Sequence, residues 1–406
     1  MNLIGILLAF ILILYLSSKE FDIGLALLIG TVVAGAFSAM WPREIIAVFG
    51  EAIANPTTLE LMFVVMIVSG LGYLLKQTGD MEKMIDSLFK IFQNGKILSM
   101  LMPALLGTIS FPGGAILSAP MVDKSGDKID LNNDQKTVIN IFYRHIGYFI
   151  YPLQPSIIIT SQLFEVSILT IVKYNFLIMF FSFIVSYVVY FRDIDYYQPN
   201  EGSSSLFKNI LTFLKSFKAI LTILVLAIVI EVPFYLSVLI GLLIGAASNL
   251  SPQEKIISYV ERLIDFFKNG AKYNMALLIF GVMAFKEMVE ASGSVELIAE
   301  FLVSSGIPLG AMIVLLGLVP GYLLGVNSAS MGILIPIFAP LMPANAGPYI
   351  ALLFTASFIG YLMSPIHLCL VLTKEYFTTD FSTIYKKLSL PVFTMLIVGV
   401  IQLFIL

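Results

Sequence analysis

The chain has 406 residues, 59% apolar and 12% charged, with a net charge of -3. A mean hydropathy of +0.96 leaves too little polar surface for a soluble protein of this length. The charges fall in loops and form no basic patch, so nucleic acid is excluded as a partner, and Cys369 is the only cysteine, so that disulfides within the chain and cysteine-ligated metal sites are expected to be excluded.

Taken in order, the apolar runs predict ten membrane spans, near 3–16, 22–41, 58–75, 138–163, 168–191, 210–230, 233–249, 273–289, 348–373 and 388–406. The first, Leu3 to Leu16, lacks a basic leader and a small-residue cleavage site and is expected to be a retained helix. Segments 42–55 and 252–268 alternate charge with apolar residues at helical spacing, the pattern of interfacial amphipathic helices. Two further stretches, 97–122 and 307–342, are interrupted at Ser110-Phe111-Pro112-Gly113-Gly114 and at Gly325-Val326-Asn327-Ser328-Ala329-Ser330, and are predicted as re-entrant hairpins. Asp123 to Asp130 hints at a calcium loop but lacks the required Gly and Glu, so a solvated loop is expected. Asp193 to Asn209, polar and rich in Gly and Ser, is predicted as a cytoplasmic linker.

The linker separates two related halves. Ile146-Gly147-Tyr148-Phe149-Ile150-Tyr151-Pro152 and Ile359-Gly360-Tyr361-Leu362-Met363-Ser364-Pro365 are copies of one motif, and the match runs on to Thr160 and Thr373. Each copy breaks a span at proline, the pointer to a transporter site at mid-membrane. With Met1 outside and both hairpins re-entering, only Arg43, Lys173 and Lys286 are left on the outer side. This positive-inside pattern predicts inverted halves with both termini outside.

Gly at the tips lets backbone approach a ligand, and Pro ends a helix. A helix beginning after each tip and each break directs unpaired N–H groups at an anion, while unwound carbonyls suit Na+. One proline kink serves packing as readily as function; four interruptions at repeat-related positions favour a site. The candidate substrate residues are therefore Ser110, Pro112, Gly113, Gly114, Gln154, Pro155, Asn327, Ser328, Ser330, Ser364, Pro365 and His367, with Asn327 and Ser328 also offered to Na+. His367, inside a span, is a candidate for proton coupling or anion binding, whereas His145, beside Arg144, is expected at the interface. Gly241 with Gly245, and Gly317 with Gly321 and Gly325, have the spacing of close helix packing. Ser364 and His367 have no evident third partner, and no hydrolase or nucleotide-binding motif is present, so no enzyme is expected.

The first hairpin through Pro120, the Arg144-His145-Ile146 approach to the Pro152 and Pro155 break, and Ser364-Pro365-Ile366-His367-Leu368-Cys369 running to Glu375-Tyr376-Phe377 resemble a family of prokaryotic integral membrane proteins of unknown function. That family is grouped with the ion transporter superfamily, alongside gluconate permeases, citrate transporters and divalent anion:sodium symporters. The resemblance implies an all-α polytopic, elevator-type fold and a homodimer in the cytoplasmic membrane, with scaffold 1–95 and 210–300 and transport domain 96–192 and 301–406. Better-studied relatives hold carboxylate and Na+ with Ser-Asn-Thr at each tip; Asn327-Ser328-Ala329 matches this in part, and the first tip has Phe111-Pro112-Gly113 instead. The expected function is secondary transport of a small organic anion, a carboxylate by preference, coupled to Na+ or H+ and needing no other cofactor. The alternative is a cation/proton antiporter, against which neither break carries Asp or Glu.

Overall fold

The computed structural model describes residues 2–19, 21–92, 94–108, 114–192, 194, 205–250, 255–293 and 306–406, and its regular structure there is helical, without a strand. The first half contains α1 (Asn2–Ser18), α2 (Ile23–Phe37), α3 (Pro42–Ala54), α4 (Pro56–Gln77), α5 (Asp80–Ile91), α6 (Gly95–Thr108), α7 (Gly114–Asp127), α8 (Asn133–Ile146), α9 (Pro155–Leu163) and α10 (Ile168–Phe191). The second contains α11 (Leu206–Ser216), α12 (Lys218–Leu224), α13 (Phe234–Ala246), α14 (Lys255–Asp265), α15 (Tyr273–Ala291), α16 (Leu309–Leu324), α17 (Asn327–Phe338), α18 (Gly347–Met363), α19 (Leu368–Phe377) and α20 (Phe381–Ile405).

Among the described residues, four stretches are long and apolar enough to cross a membrane: α4, α10, α18 continued through α19, and α20; the bent pair α11–α12 would make a fifth. Shorter apolar helices include α2, α6, α13, α16 and α17. Large apolar side chains recur about every fourth residue on the outer faces of α10 (Phe176, Phe180, Ile184, Val188) and α20 (Phe393, Ile397, Ile401), and all are exposed. In water such faces would drive association; against lipid they are ordinary. The molecule is a helical membrane protein.

The helices pack as two assemblies. In one, α2 lies against α1 and α15, and α4 against α13 and α15. In the other, α6 packs on α7 and α8, α16 on α18, α10 on α18 and α20, and α19 on α7 and α8. The two meet where α4 touches α9, α15 touches α17 and α1 touches α16. Polar clamps tie the first assembly at its edge: Tyr73 and Gln77 each donate to Asp265 Oδ2 at 2.7 Å. The bond from Tyr73 foremost, and then one from Asn269, hold the Asp265 carboxyl below the ordinary carboxylate range. Asn249, held in the left-handed region at φ 54, donates to Thr78 O at 2.9 Å and Asp80 Oδ1 at 2.8 Å.

Both amphipathic segments are helical in their described residues. α3 buries Ile45, Val48 and Ala52 on one face; α14 leaves Ile256, Ile257, Val260 and Ile264 uncovered, as a helix lying in a bilayer interface would. Two expectations require correction. The linker ends by Leu206, where α11 begins, and the span expected over 210–230 is two helices bent by 67° with a π-helical turn over Val225–Val229. The expected solvated loop is instead the last turns of α7, whose Asp123 and Asp127 both pair with the buried Lys136, at 2.7 and 2.5 Å. Residues 80–91, which fall in no predicted span, form the amphipathic α5 packed against α11.

The glycine spacings mark close packing. A methyl on Gly321 would enter contact with Ser357 O, and one on Gly360 with Leu318 O, so α16 and α18 meet backbone to backbone. Gly245 faces Leu74 and Gly317 faces the Ala356 methyl.

Candidate functional site

Proline chemistry shapes both breaks. α8 runs into a short 3-10 turn, Gly147–Phe149, and helix resumes only at Pro155, which needs no N–H at the first helical position. Gln154, before it, is extended at φ -70, ψ 125. α18 stops at Met363, Ser364 before Pro365 is extended at φ -69, ψ 129, and α19 starts after His367. Gln154 and His367, aligned in the repeat, thus occupy the same position, the cap residue of the resumed helix, and neither side chain caps it. Between the breaks, Phe149 packs edge-on to Phe354 and Phe358, with ring centroids 5.4 and 4.8 Å apart.

The second hairpin turns at Gly325, left-handed at φ 61, and Val326, extended, after which Asn327 opens α17, again without a side-chain cap. Gly is required there because a side chain in that region costs roughly 1–2 kcal/mol. Three uncapped helix N-termini, those of α9, α17 and α19, therefore converge on one cavity of about 230 Å3. The breaks supply Arg144, Tyr148, Gln154, Pro155, Tyr361, His367, Leu368 and Cys369 to its walls; the hairpin supplies Gly325, Val326, Asn327 and Ser328. The opposite wall comes from the other assembly, through Ser69 of α4 and Lys272, Asn274 and Met275 at the start of α15.

Arg144 is 2% exposed. Its Nε and Nη1 have no hydrogen-bond partner, and among the described residues no carboxylate pairs with it. Gln154 Oε1, Asn327 Nδ2, Ser69 Oγ and both ring nitrogens of His367 are likewise buried without partners. Each orphaned polar group costs about 1–3 kcal/mol and a buried charge more, so the cluster is unfavourable unless something polar enters. Asn327 Oδ1 accepts from Ser357 Oγ at 2.8 Å, and Ser357 Oγ lies 2.8 Å from Ser330 Oγ. The Asn327 amide therefore presents N–H groups as its free face.

Of the sequence-predicted residues, Gln154, Pro155, Asn327, Ser328 and His367 line the cavity together. Ser330 stands behind Asn327 through Ser357. Ser364 and Pro365 form the break without lining the cavity, Pro365 being exposed. Gly114 opens α7; Ser110, Phe111, Pro112 and Gly113 lie outside the described residues.

Sequence reasoning missed Arg144, counted there with cytoplasmic loop charges, and Ser69, Lys272 and Asn274 across the cavity. His145, expected at the interface, is 0% exposed, with its ring centroid 4.7 Å from that of His367. Its Nδ1 is 2.6 Å from Ile141 O, to which it donates, and Nε2 has no partner. His145, His367 and Cys369 bring one nitrogen or sulfur atom each to within 4.8 Å of one another. A signal for Arg144 was present: continued backward, the repeat register pairs it with Ser357, the partner of Asn327.

These features define a helical membrane protein whose broken helices enclose a cationic, donor-rich cavity. The chain belongs to the family described as Protein of unknown function (DUF401), whose model matches residues 2–406. No curated protein matches it.

Proposed function

We propose that the protein is a secondary active transporter that moves a small organic anion, a carboxylate by preference, across the prokaryotic cytoplasmic membrane with Na+ or H+. The observation that carries this reading is Arg144, a buried cation without a carboxylate partner among the described residues, facing a cavity onto which three uncapped helix N-termini open. Guanidinium and helix N-termini both favour negative charge, and Arg matches a carboxylate in two-pronged fashion. A cavity of about 230 Å3 suits a molecule smaller than a drug.

The assembly of α1–α4 with α12–α15 is the scaffold, and that of α6–α10 with α16–α20 is the transport domain. The cavity between them is where an elevator carries its cargo past a fixed wall. This reading takes the shorter apolar helices as further crossings or re-entrant arms, ten spans and two hairpins in inverted halves, and a homodimer as the working unit. Since Asn327 Oδ1 is engaged by Ser357, a Na+ ligand set would draw on Ser328 and the unwound carbonyls of the breaks.

The antiporter alternative needs a titratable carboxylate at the site, and no Asp or Glu lines the cavity among the described residues. The hydrolase alternative needs Ser364 bonded to His367, whose ring nitrogens have no such partner. The test is thermal unfolding of purified protein against small carboxylates and inorganic anions, at two pH values, with Na+ or choline. An anion that stabilises only with Na+, or only at the lower pH, names substrate class and coupling ion together. Stabilisation by Na+ or pH alone, with no anion effective, would overturn the anion reading in favour of the antiporter.

A further inference from the structure

We propose that His145, His367 and Cys369 form a binding site for a thiophilic divalent cation of the Zn2+ class. The inference does not depend on the transport reading. The three candidate ligand atoms lie within 4.8 Å of one another. Two are on imidazoles that are 0% and 2% exposed, and the nitrogens they offer, His145 Nε2 and either nitrogen of His367, have no hydrogen-bond partner.

A buried histidine that serves packing alone satisfies its ring nitrogens; here His145 Nε2 and at least one His367 nitrogen are left over, Leu362 O being the candidate acceptor for the other. His145 is already set in the form a metal requires. Its Nδ1–H donates to Ile141 O, which fixes the tautomer and leaves the Nε2 lone pair free, the arrangement by which outer partners orient metal-bound histidines. His367 stands at a non-helical cap position, and Cys369, two residues on, reaches the cavity wall. Two nitrogens and one sulfur select Zn2+ over Mg2+ or Ca2+, which take oxygen.

Bond lengths of about 2.1 Å to nitrogen and 2.3 Å to sulfur require the ligand atoms to draw in by roughly 1 Å, a side-chain adjustment. Binding replaces the thiol proton, which leaves to solvent, and the thiolate offsets one of the two metal charges. Arg144 lines the same cavity and opposes the remaining charge. The fourth metal position opens on the cavity, where water or an anion completes it.

The experiment uses full-length, untagged protein stripped with chelator and titrated with Zn2+ and, separately, Co2+. The expected result is one Zn2+ per protomer and, for Co2+, thiolate-to-metal charge-transfer absorption with tetrahedral visible bands. Cys369→Ser should abolish the charge-transfer band, and both it and His367→Asn should weaken Zn2+ binding by roughly 100-fold or more, beyond the loss typical of an outer-shell partner. Absence of the thiolate band in the wild-type protein, or Zn2+ binding unchanged in both variants, would overturn the site. The wild-type spectrum decides even if a variant fails to fold. An anion response that survives chelation leaves the transport reading intact whatever the metal result.

Discussion

Arg144 sits where stability and function pull in opposite directions. A buried charge with no counter-charge is destabilising by several kcal/mol, and the fold retains it at 2% exposure. Arg144→Gln removes the charge while keeping a polar side chain of similar reach. It is expected to raise the stability of the ligand-free protein by about 1–4 kcal/mol, seen as a higher unfolding temperature, and to eliminate stabilisation by anions. Arg144→Lys keeps the charge without the fork and should retain a weakened anion response. A destabilised Gln variant that still responds to anions would make Arg144 a structural residue. Asn327→Ala tests the other side: it removes the free amide donor and the acceptor for Ser357, so anion binding should be lost while the fold persists.

At the scale of elements, the hairpin is positioned by the contact of α16 with α18. A methyl added at Gly321 would collide with Ser357 O, and Ser357 in turn holds Asn327 at the cavity. Gly321→Ala should therefore destabilise by about 1–3 kcal/mol and abolish anion binding as the Asn327 amide shifts. Gly50→Ala in α3, where nothing lies within 4 Å of the added carbon, is the contrasting case and should be neutral or gain up to about 1 kcal/mol. Equal effects of the two substitutions, read in unfolding temperature, would remove the hairpin argument. The breaks at Pro152 and Pro365, the turn at Gly325 and the amphipathic faces of α3 and α14 were legible in the sequence because proline geometry and helical period are local properties. The 67° bend between α11 and α12 was not, since hydropathy carries no record of direction along a continuous apolar run. Arg144 and His145 were misplaced for a related reason: charge near a span end is ordinarily solvated, and only packing against α6 and the facing break shows that this end is enclosed. Likewise Lys136, an apparent loop charge, is buried against Asp123 and Asp127.

For the molecule as a whole, the question is whether the two assemblies move past one another. The cavity has Ser69 and the start of α15 on one wall and both broken helices with the hairpin on the other. If the second assembly travels, these walls must separate during each cycle, and a covalent tie across the cavity must stop it. The chain provides a clean background, because Cys369 on the moving wall is its only cysteine. In a Ser69→Cys variant, a short cleavable bis-maleimide should link positions 69 and 369 within one chain, halt exchange of anion across proteoliposome membranes, and release that block on cleavage. Recovery on cleavage separates tethering from simple obstruction by the two attached maleimides, which remain in place. Exchange that continues in fully linked protein would mean the walls do not part, and would favour a fixed pore, for which ion conductance without saturable counterflow is the matching signature. The principal helix pairs across the boundary are α4 with α9, α15 with α17 and α1 with α16, so a sliding motion must exchange these contacts while each assembly keeps its own packing.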